Sequence, residues 1–196
     1  MKSHLVSLTV AVAFAVAAST LPAMAADPQP GLGGAPVPGV CLLSREAIFA
    51  NAKVGVAATA RLKQLSLDAQ TEVDALRKPV DGDIKAYQAE QAKLSPDQRR
   101  VRELALSDRL KPVQALANTR AQEIELTRVK AMQTIAGDAQ PIIAEVYKAK
   151  GCGLLIDRTS VLGGNLSNDL TAAVVQKLDA SVTTIAFDRE ALSEKK

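Results

Sequence analysis

Leu94-Ser95-Pro96-Asp97-Gln98 decides the reading of this 196-residue chain. The Ser95 hydroxyl is placed to accept from an unpaired backbone N–H at the start of a helix. Pro96 suits the first helical position, where its missing N–H costs nothing. Gln98, three residues after Ser95, completes a capping box. Pro96 also drives Ser95 out of the helical region, so a helix arriving from the left stops near Leu94. A stop and a capped start this close together predict two helices folded back on each other, with the turn at 94–97.

To the left, Leu62, Leu65, Ala69, Val73 (or Glu72), Leu76, Val80, Ile84, Tyr87, Gln91 and Leu94 recur at spacings of three and four. Charged and amide residues fill the other faces, which predicts a narrow apolar seam with a solvated outside. About 40 helical residues span roughly 60 Å, a length that needs a partner helix. To the right, Val101, Leu104, Val113, Leu116, Ile124, Val129, Met132 and Ile135 mark that partner with less regular spacing. If the chain reverses at Ser95–Pro96, level residues have numbers that add to 191. This sets Tyr87 opposite Leu104, Leu67 opposite Ile124, Leu65 opposite Leu126 and Leu62 opposite Val129.

The same register levels Pro79 with Pro112. Each proline removes a helical hydrogen bond and costs about 3 kcal/mol in a regular helix interior. Gly82 weakens the same level. Two readings stand: a shared joint at Pro79, Gly82 and Pro112 in a continuous hairpin, or two breaks that divide the arms into four shorter helices. Pro141 is a second candidate kink, and Gly151 is placed to end the return helix.

The ends have a different character. Met1-Lys2-Ser3-His4, the apolar run from Leu5 to Ala18 and Ala23-Met24-Ala25 read as a secretory signal peptide over 1–25, cleaved after Ala25. Residues 26–39 are rich in proline and glycine and read as a disordered linker. Val40-Cys41-Leu42-Leu43 reads as a strand, and Ser44 as the cap of a short helical turn. After the hairpin, Leu154–Asp157 and Ser160–Leu162 read as two strands. Leu170–Leu178 reads as a short amphipathic helix capped by Asp169 or Thr171, and Val182–Phe187 as a last, β-branched strand. Residues 189–196 read as a frayed tail. The expected class is α+β, mostly α. The hairpin arm over 53–150 is inserted into a discontinuous β-rich body, 40–52 and 151–188. So small a body is marginal alone, and its strand edges invite oligomerisation.

Composition excludes several function classes. Cleavage removes Lys2, so 24 Lys+Arg against 21 Asp+Glu becomes a mature charge of about +2. That balance does not demand a nucleic acid. Cleavage also removes His4, the one histidine, which leaves no imidazole for a triad, a proton shuttle or a metal. The carboxylates are dispersed along helices, and no enzyme is expected. Cys41 and Cys152 lack the C-x-x-C spacing of a redox motif. In an oxidising compartment they read either as a disulfide or as two small buried hydrophobes.

The order of these segments resembles a known family. A strand leads into Ser44-Arg45-Glu46-Ala47-Ile48-Phe49-Ala50-Asn51-Ala52-Lys53-Val54-Gly55. A long hairpin follows. Then come Tyr147-Lys148-Ala149-Lys150-Gly151-Cys152-Gly153-Leu154-Leu155-Ile156-Asp157-Arg158-Thr159-Ser160-Val161-Leu162 and Asp169-Leu170-Thr171. This is similar to the Skp/OmpH family of periplasmic chaperones. The resemblance implies a homotrimer whose β-rich bodies join and whose three hairpins surround a cavity. It implies binding of unfolded outer-membrane proteins without ATP or any other cofactor. This chain has no Gly-rich phosphate loop. Well-studied members are strongly basic, and some are credited with a lipopolysaccharide site. Here Arg77–Lys111 carries nine Lys/Arg against six acids, a weaker excess, so anionic membrane or lipopolysaccharide stands as a secondary partner.

Arg99, Arg100 and Arg102 cluster just past the turn. They read either as contacts for anionic clients or lipid head groups, or as a solvated helix face. Tyr87 reads either as a client contact from inside the cavity or as core against Leu104. The alternative function is an envelope structural or adaptor protein that docks partners through its coiled-coil tips.

Overall fold

The structure, a computed structural model, describes residues 32–193. The expected signal peptide and the first part of the linker lie outside the described residues. Strand β1 (Val40–Leu43) is followed by α1 (Arg45–Asn51), α2 (Lys53–Glu90), a 3-10 turn (Gln91–Lys93) and α3 (Pro96–Ala149). Strand β2 (Leu154–Asp157), a second 3-10 turn (Arg158–Ser160) and α4 (Thr171–Ser181) complete the order.

The turn between α2 and α3 carries both halves of the capping box. The Ser95 hydroxyl accepts from the Gln98 N–H, and the Gln98 side chain accepts from the Ser95 N–H at 2.9 Å. α2 and α3 run without interruption through Pro79, Pro112 and Pro141. The hairpin is therefore two helices and not four.

β1 and β2 pair in parallel, with Val40 opposite Leu154 and Leu43 opposite Asp157. A parallel pair needs a long crossover, and here the whole hairpin is that crossover. On the other edge of β1, Leu42 N–H donates to the Asn168 carbonyl at 3.0 Å, and Leu170 N–H donates to the Leu42 carbonyl at 2.9 Å. The sulfurs of Cys41 and Cys152 are joined, with Cα atoms 5.8 Å apart. The bond ties β1 to the segment that follows α3.

The core of the body is mostly helical. Ile48 of α1, Val54 and Ala58 of α2, Ile135, Ala139, Ile143 and Val146 of α3, and Val174 and Leu178 of α4 form one buried cluster with Cys41 and Leu43. Polar groups set the angles between these pieces. Ser44 caps α1 by accepting from Ala47 N–H at 3.1 Å, while its own N–H donates to the Thr171 hydroxyl at 2.9 Å. Asp179 of α4 accepts from Lys53 N–H at 2.7 Å, which places a carboxylate at the N-terminus of α2. Gly55 is required by packing. A Cβ there would lie 1.8 Å from the Phe49 carbonyl oxygen.

Four expectations need correction. The body is not β-rich, since among the described residues its sheet has two strands. Ser160–Leu162 is not a strand. The Asp157 side chain accepts from both Thr159 N–H and its hydroxyl, which winds the chain into a 3-10 turn. Val182–Phe187 is extended but joins no sheet. It runs against the base of the hairpin, where Ile185 and Phe187 pack on the core and Arg61 donates to the Phe187 carbonyl at 3.2 Å. The tail and the linker are also better held than expected. Asp188, Arg189 and Glu190 form ion pairs with the arms. Asn165 donates to the Gly34 carbonyl and Asn168 to that of Val37, so the linker is anchored from Gly34 onward.

Candidate functional site on the arms

The buried face of α3 steps by four residues: Glu123, Thr127, Ala131, Ile135, Ala139 and Ile143. Opposite lie Val54, Ala58, Leu65, Ala69 and Val73 of α2. Small side chains let the helices approach closely, and a step of four rotates the stripe around α3. Several bulkier apolar residues of both arms stay outside the contact. Leu104 is 60% exposed, and Leu67, Leu76, Val101, Val129 and Met132 are exposed as well. The expected seam contacts of Leu67, Leu104 and Val129 are corrected accordingly. Val101 and Leu104, three residues apart, share one face of α3 near the tip.

Cross-arm ion pairs fix the register within one residue of the expected one. Arg120 meets Glu72 at 2.6 Å, Arg109 meets Asp83, and Arg102 meets Glu90 at 2.8 Å. Of the tip arginines, Arg102 is thus spent on a strut between the arms. Arg100 lies 3.7 Å from Asp97 one turn away, an exposed contact of little energetic weight. Arg99 forms no ion pair among the described residues. Tyr87 is half-buried, and its hydroxyl donates to Glu103 at 2.5 Å, across the arms. That bond holds the phenol above its ordinary titration range.

At the level of Pro79 and Pro112 the arms are packed, not hollow. Val73, Val80 and Val113 form a separate buried cluster, flanked by Ile84, Leu116 and Ala117. Gly82 sits beside it with open space at its missing Cβ. The main core ends near Ile135, so this valine node is an isolated apolar contact on a largely polar arm.

Between core and node lies a charged cluster that the sequence reading passed over. Glu123 is 6% exposed and Thr127 1%. Arg120 donates to Glu72 at 2.6 Å and to Glu123 at 2.8 Å. Arg189 donates to Glu72 at 2.9 Å and lies 3.2 Å from Glu123. The guanidinium of Arg189, with that of Arg120, holds the Glu72 carboxyl below its usual range. The one sequence signal was Glu72 itself, an acid beside Val73 on an apolar seam.

Near the body, an apolar cleft of about 510 Å³ opens between α1 and α3, lined chiefly by Ile48, Phe49, Met132, Ile135, Ala139 and Ile143. Among the described residues no three His, Cys, Asp or Glu side chains gather to hold a metal. None of the described helices is long and apolar enough to cross a membrane. The arrangement offers apolar and charged surface side by side on two connected struts, suited to many weak contacts.

Comparison with known proteins agrees with this geometry. A family model described as "Outer membrane protein (OmpH-like)" matches residues 39–178. A solved structure described as a "putative outer membrane chaperone (OmpH-like)" from Caulobacter crescentus is 32% identical. The match covers 83% of this chain and 96% of that one, with a TM-score of 0.68. No curated protein matches.

Proposed function

The chain belongs to the OmpH-like family, and on that premise we propose that it is an ATP-independent periplasmic holdase. In this reading it binds unfolded outer-membrane proteins and prevents their aggregation. The observation that carries the reading is the outward placement of Leu67, Leu76, Val101 and Leu104 on arms otherwise covered with charge. An unfolded β-barrel segment alternates apolar and polar residues. A surface with the same mixture binds it through many weak contacts without selecting one sequence. Arg99, with Arg100, adds a cationic tip for acidic client segments or anionic head groups.

Joining three copies through their bodies multiplies these contacts into avidity. Two features support such a homotrimer: the outer edge of β2 is unpaired among the described residues, and Leu154 on that strand is exposed. Pro79, Gly82 and Pro112 act in this reading as a joint, with the valine node as its pivot, so that the cavity adapts to client size.

The test is light scattering of a urea-unfolded outer-membrane porin diluted into buffer with and without the protein. Suppression at a small molar excess of trimer is expected. Suppression should weaken for a double variant, Val101→Ser with Leu104→Ser, whose helicity is unchanged. Full aggregation with the unaltered protein would overturn the holdase reading in favour of an adaptor that docks envelope partners through its tips.

A further inference from the structure

Residues 182–190 leave α4 and climb the hairpin, touching the two helices in turn. Phe187 and Asp188 are held by Arg61 of α2, at 3.2 Å and 2.6 Å. Arg189 reaches Glu72 of α2 and Glu123 of α3 together. The Glu190 N–H donates to the Thr127 hydroxyl at 2.9 Å, and the Glu190 carboxylate pairs with Lys130 at 2.7 Å, both partners on α3.

We propose that this C-terminal segment is a latch across the arms. It locks the proximal half of the hairpin and leaves bending to the part beyond Glu72 and Arg120. The charge balance supports the assignment. Glu72 and Glu123 face two guanidiniums, one from α3 and one from the tail. Without Arg189, two carboxylates share Arg120 at a place where Glu123 is buried, and like charges at close range drive the helices apart. The Arg fork is suited to bridge two carboxylates, which a lysine ammonium does less well. The locked segment also lies between two apolar clusters, with Leu65 and Ala69 as its buried apolar side chains on α2 and Glu123 and Thr127 facing them from α3, so the ion pairs weigh heavily in its local stability.

The latch has a consequence for holding clients, and that part rests on the chaperone reading. The structural test therefore uses no client. Backbone hydrogen exchange is compared between the full chain and the variants Arg189→Ala and Arg189→Lys. For Arg189→Ala, exchange is expected to accelerate at least tenfold in residues 62–72 and 120–130. Residues 135–149 of α3, packed in the body, should stay within twofold. Arg189→Lys should accelerate the same segments by a smaller factor. Unchanged exchange in 62–72 and 120–130 for Arg189→Ala would overturn the latch. If Arg189→Ala loosens the whole protein, Arg189→Lys decides. A local effect supports the latch, and a global or absent effect overturns it. A failed scattering assay with normal latch behaviour would remove only the chaperone reading.

Discussion

Reducing the Cys41–Cys152 bond is the perturbation with the most calculable effect. The two cysteines are 111 residues apart, and the whole hairpin lies between them. Closing a loop of that length removes about 16 cal/mol/K from the unfolded chain, or roughly 4.8 kcal/mol at 25 °C. Residual helix in the unfolded hairpin shortens the effective loop, so this value is an upper bound. For a chain of this size each kcal/mol moves the thermal midpoint by about 2–4 °C. A fall of several degrees, and at most roughly 10–20 °C, is therefore expected on reduction. The assay is thermal unfolding followed by far-ultraviolet circular dichroism, with and without reductant, at one protein concentration, because assembly also shifts the midpoint. Intact mass after alkylation confirms the thiol state of each sample. Below the transition the helical signal should hardly change, since α2 and α3 do not depend on the bond. Exchange should instead rise in β1 and β2, which the bond holds in register. A midpoint shift of under about 2 °C between verified oxidised and reduced forms would refute the argument.

Two glycine substitutions should move stability in opposite directions. Gly55→Ala puts a Cβ 1.8 Å from the Phe49 carbonyl oxygen and 2.8 Å from its carbon, both backbone atoms. Despite the better helix propensity of alanine, a loss of about 2–3 kcal/mol is expected in urea unfolding. Gly137→Ala meets nothing within 4 Å in α3 and should stabilise by about 0.5–1 kcal/mol. Acid should also act through Glu72, which faces Arg189 from the tail and Arg120 and Glu123 from α3. Its carboxyl titrates below the usual range, so its stabilising contribution is complete at neutral pH. That contribution is lost as pH falls from the ordinary carboxylate pKa through the lowered one. Glu72→Gln should flatten that part of the thermal midpoint's pH profile, and an unchanged acid slope would contradict the assignment.

Much of this architecture is written in short-range chemistry. The capping box needs two residues in four, so Ser95 and Gln98, with Pro96 at the first helical position, announce the turn without help from the rest of the chain. The discontinuous body is also legible, because the strand at Val40 and the strand at Leu154 lie on either side of the helical stretch. Where the sequence reading missed, the deciding partner lay far away. β-branched residues 182–187 specify an extended backbone but not a neighbour. Arg61, 126 residues from Phe187, takes the carbonyl that a ladder would have used. The charged tail looked free because its partners, Glu72 and Glu123, sit on helices more than sixty residues earlier. Leu104 and Leu67 fit an apolar seam on spacing alone. Both are more than half exposed, because the buried stripe of α3 that includes Thr127, Ala131 and Ala139 steps by four and takes other positions into the contact. Helix starts, stops and amphipathic stretches follow from neighbours within one or two turns. The choice of buried face, strand partner and salt-bridge partner depends on groups brought together only when the hairpin closes on its base.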